Sequence, residues 1–135
     1  MIRIESNFGE RSTQFARYAA AWTRAVAEGL RDVAITVERA AAANLRGPKS
    51  AAPGSYPVPI RSNKLRLSLQ SRFGQRESMV INSALYARAV HDGFTPYGNP
   101  HARYSIVPRP YLQDAVDSTD ISEVMAIRID KAMPA

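Results

Sequence analysis

From Phe15 onward, apolar side chains return every three or four residues: Phe15, Tyr18, Trp22, Val26, Leu30, Val33, Val37 and Ala41. That spacing lines them along one face of a helix. Arg17, Arg24 and Arg31 recur on a different face and are expected in solvent. Ser12 or Thr13 is the expected N-cap, because a hydroxyl oxygen there accepts a free N–H of the first turn. Gly47 and Pro48 end the run near Leu45–Arg46. Such a helix spans on the order of 50 Å at 1.5 Å per residue. Either it reaches toward a partner subunit or it packs along one small sheet. Gly29, which costs roughly 1 kcal/mol relative to alanine, marks a bend or a close approach.

Beyond it the period changes. "MIRIE" at the start alternates and predicts a short strand. "KLRLSLQSRF", Lys64 to Phe73, puts Leu65, Leu67, Leu69 and Phe73 on one side and polar residues on the other. Period two predicts a half-buried strand, although its first residues also fit a helical turn capped by Ser62. After the turn "GQRE", "SMVINS" predicts a second strand, so the two form an antiparallel hairpin. "SALYARAVHDGF" predicts a short helix using Leu85, Ala89 and Tyr86 with Val90, stopped by Gly93 where φ must be positive. Pro110 opens the next helix, where its missing N–H costs nothing. Ser118 to Asp120 break and re-cap it, and Ile121, Val124, Met125 and Ile129 continue at helical spacing. Two proline-rich loops remain, near 47–63 and 94–109. The chain of 135 residues, 45% hydrophobic, has the size of one domain, 1–135.

Charge adds a polarity to this outline. Residues 1–38 carry five bases and five acids; Arg39 to Arg76 carry eight bases and no acid; Pro110 to the end carries five acids and two bases. Fifteen of the eighteen basic residues are arginine, which offers a planar fork to carboxylates and phosphates. A basic centre and an acidic end suit polyanion contact or head-to-tail packing of copies, unless the basic segment is only a solvated surface.

Candidate chemistry is sparse. There is no cysteine, so disulfides, thiolate zinc sites and thiol nucleophiles are excluded. His91 and His101 are the two histidines, and Asp92 beside His91 points around a helix, which makes a poor metal site. No serine stands in a Gly-x-Ser-x-Gly elbow and no phosphate-cradling glycine loop occurs. No apolar run reaches the length of a membrane span. The charged start "MIRIESNFGER" does not read as a signal peptide, so a soluble protein made in the cytoplasm is expected. Tyr56, Phe94, Tyr97 and Tyr104 lie in loops and either stack on bases or anchor the loops. His91 and Asp92 read as a helix end; His91→Ala is expected to be mild and Gly93→Val damaging.

Three ordered segments carry a resemblance: "PVPIRSNKLRLSLQ" at 57–70, "INSALYARAVHDGF" at 81–94 and "VPRPYLQDAV" at 107–116. The succession resembles the tailed-bacteriophage family of minor tail components and tail-completion proteins at the head–tail junction. Its members show a long N-terminal helix, a proline-containing stretch with Leu-x-x-Ser, then Tyr-Ala-x-x-Val-Glu-x-Gly, then Pro-Phe-Leu-x-x-Ala opening a final helix. Leu65 and Ser68 match the first, Tyr86, Ala87, Val90 and Gly93 the second, and Pro110, Leu112 and Ala115 the third, with Tyr111 in place of Phe. Ile-Arg-Ser-Asn stands where the family has Asp-Thr-Gly, and His91-Asp92 where it has Glu before Gly.

The resemblance implies an α+β fold: a long N-terminal helix on a small antiparallel sheet, a short helix after the second strand and a C-terminal helix. It implies a structural virion protein with no catalytic residue, cofactor or metal, found at the head–tail junction and, during assembly, in the host cytoplasm. Copies would form a ring, usually of six, with connector and tail proteins as partners and genomic DNA passing through the lumen without sequence recognition. Arg46, Lys49, Arg61, Lys64, Arg66, Arg72 and Arg76 are then candidates for subunit contacts or the channel wall. The competing expectations are a small basic nucleic-acid-binding module and an enzyme built on His91 and Asp92.

Overall fold

The computed structural model describes residues 8–52, 54–61, 63–98 and 105–133. The strand expected at 1–5, and Ser62, His101 and Tyr104, lie outside the described residues. The architecture is α+β. Helix α1 (Phe8–Asn44) is followed by a helical turn α2 (Lys64–Leu67), strands β1 (Leu69–Phe73) and β2 (Ser78–Asn82), and helices α3 (Ala87–Asp92), α4 (Tyr111–Asp117) and α5 (Ile121–Ala132).

Helix α1 is the beam on which everything else rests. Its C-terminal half buries Ala34, Val37 and Ala41, and Leu45 just beyond it, at the three- and four-residue steps read from the sequence. The core continues through Val58, Leu65, Leu69, Ala84, Ala87, Val90, Tyr111 and Ala115. A lone two-stranded hairpin is marginal in water, so β1 and β2 depend on packing against α1. The strands pair antiparallel from Leu69↔Asn82 to Phe73↔Ser78. The Ser71 hydroxyl donates to the Glu38 carboxylate and ties β1 to the beam.

Helix α5 lies along the middle of α1. Gly29 allows this approach: a Cβ there would stand 2.7 Å from the Met125 Sδ. Arg128 then clamps the pair, with Nη2 2.6 Å from Asp32 Oδ2 and Nη1 3.5 Å from Glu28. The break between α4 and α5 falls where the sequence placed it, and the Asp120 carboxylate accepts the Glu123 N–H at 3.0 Å as N-cap.

Four details differ from the sequence reading. Helix α1 is already formed at Phe8, and Thr13 is inside it, its hydroxyl donating back to the Gly9 carbonyl at 2.9 Å. A hydroxyl can serve either role, and here the i−4 carbonyl competes successfully. The first residues of "KLRLSLQSRF" take the helical alternative: Leu65 and Leu69 are buried four residues apart, while Leu67 is 72% exposed. The cap position belongs to Asn63, at φ 63°, whose Oδ1 accepts from Arg66 Nε. Phe73 is exposed as well, with the Arg31 guanidinium 5.0 Å over its ring. Leu85 and Tyr86 precede α3 and are exposed, so Ala87 and Val90 make its buried face.

The apolar stripe of α1 also continues beyond the described residues that cover its C-terminal half. Phe15 is 75% and Trp22 51% exposed, and among the described side chains Ala25 is the first buried one of the helix.

Candidate functional site

The three segments that carry the resemblance converge in space. A cleft of about 500 Å³ is lined by Leu45 and Val58–Arg61, by Asn63, Leu65 and Arg66 of the α2 turn, by Tyr86 and Val90, and by Gly54 and Arg109. Its floor is apolar and its rim carries three guanidinium groups. No described acidic residue lines it.

Each arginine is placed by local structure. The extended 47–61 loop is held by two backbone bonds between Gly47 and the strand-like Val58–Ile60, at 2.8 and 3.0 Å. That brings Arg61 back over the loop, where its Nη1 and Nη2 donate to the Lys49 and Ala51 carbonyls. Arg66 is fixed by the Asn63 side chain at 2.8 Å. Arg109 is anchored by its own N–H on the Val90 carbonyl at 3.0 Å. Its Nε is buried with no hydrogen-bond partner, and burial pushes its pKa below the ordinary guanidinium value. All three therefore meet neutral acceptors or none among the described residues. Arg109 is the one of the three that burial disfavours, and a partly desolvated charge without a partner is unfavourable until an anion joins it.

Of the seven basic candidates, Arg61 and Arg66 are brought together here. Arg46, Lys49 and Lys64 are exposed nearby in sequence but do not line the cleft, and Arg72 and Arg76 project from the hairpin. The sequence reading missed Arg109, which lies outside the acid-free segment. Its one signal was its position between Pro108 and Pro110, which stiffens the backbone on both sides. Among the motif residues, Leu65 and Val90 belong to the buried apolar floor of the cleft and the exposed Tyr86 also lines it. Ala87 and Ala115 are buried, and Leu112 packs against the core. Ser68 caps α2 by donating to the Lys64 carbonyl at 2.7 Å, and Pro110 precedes α4 at its N-cap.

The His91–Asp92 corner is a junction between helices. His91 Nδ1 is 2.7 Å from Asp92 Oδ1, and its Nε2 accepts the Gln113 N–H at 3.4 Å. That pattern assigns the proton to Nδ1. The imidazole also meets the Tyr111 ring edge-on at 5.3 Å between centroids. The His91 bond, with Arg88 adding, holds the Asp92 carboxyl below the usual range. His91 thus ties α3 to α4, which is more than a polar helix end. His91→Ala is expected to cost about 1–2 kcal/mol of stability, measured by urea unfolding; an unchanged midpoint would mean that the ring contributes nothing to the junction. Among the described residues, no three His, Asp or Glu side chains gather as metal ligands.

The loop aromatics are partly anchors. Burial, with the Asp114 carboxylate adding, pushes the Tyr56 hydroxyl up to about 12, so this loop aromatic is turned toward α4 while its side chain stays partly exposed. Phe94 exchanges backbone bonds with Ile106 at 3.0 and 2.7 Å, closing the base of the second loop while its ring stays exposed. No described helix is long and apolar enough to cross a membrane. No family model, curated protein or solved structure matches the chain.

Proposed function

We propose that the protein is a structural component of a tailed-phage virion, a ring of several copies, six in the expected form, at the head–tail junction. It joins the connector to the tail and surrounds the path of the DNA without catalysing a reaction. The observation that carries this reading is the ordered succession of Leu65/Ser68, Tyr86-Ala87-x-x-Val90-x-x-Gly93 and Pro110-x-Leu112-x-x-Ala115 behind a long helix. The uncovered flank of α1 supports it. Phe15 and Trp22 lie two helical turns apart on one face and are left exposed by the described residues. A neighbouring copy is the natural cover, and a beam of 37 residues is long enough to reach one. Its other partners are connector and tail proteins, and its place is the virion, with the host cytoplasm as the site of assembly.

The flank gives the direct test. Burial of one large side chain contributes about 1.5–3 kcal/mol. Phe15→Ser with Trp22→Ser is therefore expected to weaken self-association roughly 100-fold or more, with the helical circular dichroism retained. Sedimentation velocity over a concentration series reads this; unchanged association would remove α1 from the contact. The acid-free cleft favours a second reading, a small module that binds polyanions. Tight, salt-dependent DNA binding by an isolated monomer would support that reading instead.

A further inference from the structure

Helix α5 carries a surface that complements the arginine cleft. Glu123, Ile127 and Asp130 are spaced four and three residues apart, so they share one face. It is opposite the face that Met125 and Arg128 turn to α1. Ile127 is 51% exposed, and the two carboxylates beside it are exposed and form no ion pair among the described residues. One branched apolar side chain between two carboxylates thus faces solvent. The cleft presents the inverse: an apolar floor of Leu45, Val58, Leu65 and Val90 beneath Arg61, Arg66 and Arg109.

The two surfaces cannot meet within one chain. Helix α5 crosses α1 at Gly29 and Asp32, and the cleft begins at Leu45. At 1.5 Å per residue those levels are about 20–24 Å apart along the beam.

We infer that the arginine cleft is the seat for helix α5 of a second copy, with Ile127 on the apolar floor and Glu123 and Asp130 on the guanidinium rim. This rests on the reading of the protein as a self-assembling structural chain. The contact supplies a counter-charge to the half-buried Arg109, whose Nε has no hydrogen-bond partner among the described residues of one protomer. Charge-assisted bonds from a planar guanidinium to a carboxylate are the strong ones, and they fix orientation. The cleft and the outer face of α5 are different surfaces of the molecule, so the contact is head-to-tail. Repeated contacts of that kind close into a ring when the rotation permits. The chain's charge polarity, basic at the centre and acidic toward the end, is the sequence-level form of the same complementarity.

Two complementary variants of the full chain test this. One reverses the helix face, Glu123→Arg with Asp130→Arg; the other reverses the rim, Arg61→Glu with Arg66→Glu. Each alone is expected to associate at least about 100-fold more weakly than the wild type. An equimolar mixture is expected to regain oligomers, because every rim then finds a helix of opposite charge in an alternating assembly. The helix changes involve exposed side chains, so that variant decides the question even if the rim variant fails to fold. Ile127→Ser checks the apolar seat independently and should also weaken association. Wild-type-like assembly by the reversed-helix variant would overturn this contact while leaving self-assembly intact. A wild type that never associates would overturn both.

Discussion

Gly93→Val is expected to destabilise the protein by about 3–5 kcal/mol, a large part of the total stability of a domain this size. Two effects act together. Gly93 has φ 80° and ψ 165°, a region occupied almost only by glycine. A Cβ there would also stand 2.7 and 2.9 Å from Pro108 Cγ and Cδ and 3.0 Å from the Ile106 carbonyl oxygen. The proline ring and the carbonyl cannot move freely, because Phe94 and Ile106 are paired through their backbones at this point. Relief would have to open the base of the second loop and shift Arg109, which hangs from the Val90 carbonyl. Gly98 provides the control: it too has positive φ, 70°, but no described residue lies within 4 Å of its Cβ position. Gly98→Ala is expected to cost only the strain, roughly 1–2 kcal/mol. Chemical denaturation of both variants reads the difference. Equal losses would show that the packing against Pro108 contributes nothing.

Tyr111→Ala is expected to cost about 3–5 kcal/mol. Tyr111 is 0% exposed and joins α4 to the rest of the core. Its carbonyl accepts from Asn44 Nδ2 at 3.1 Å, at the last turn of α1, and its ring receives His91. Burial pushes its hydroxyl up to about 12, so the ring stays neutral at any ordinary pH. Truncation leaves a cavity where α1, α3 and α4 meet, and an interior packed at crystal-like density closes it only in part. Tyr111→Phe keeps the ring and is expected to change stability by less than about 1 kcal/mol. Thermal unfolding separates the two; a Tyr111→Ala melting point within a few degrees of the wild type would contradict the central position given to this ring.

The sequence was most legible where a local rule and the tertiary demand coincide. The α1 stripe, the glycine stop at Gly93, Pro110 before α4 and the re-cap at Asp120 each follow from one residue's own physics. Alternation misled at Lys64–Leu67. Positions two apart on a strand and four apart on a helix both place Leu65 and Leu69 on one side, and only Leu67 separates the readings. Leu67 is exposed, so the helix reading holds. Periodicity also could not say what covers Phe15 and Trp22, because a stripe records that a face is apolar and not which chain buries it. Arg109 escaped for another reason. Its partners in space, Arg61 and Arg66, are more than forty residues away in sequence, and only the folding of two proline-rich loops onto the α1 end gathers them.

Native mass spectrometry of the purified full chain, with electron microscopy of the same sample, bears most directly on the proposal that the protein is a ring-forming virion part. The expected result is a closed oligomer with an open centre, six copies in the form the resemblance implies, found also in assembled particles. A chain that stays monomeric at every concentration, with or without its neighbours, and never enters virions would contradict it.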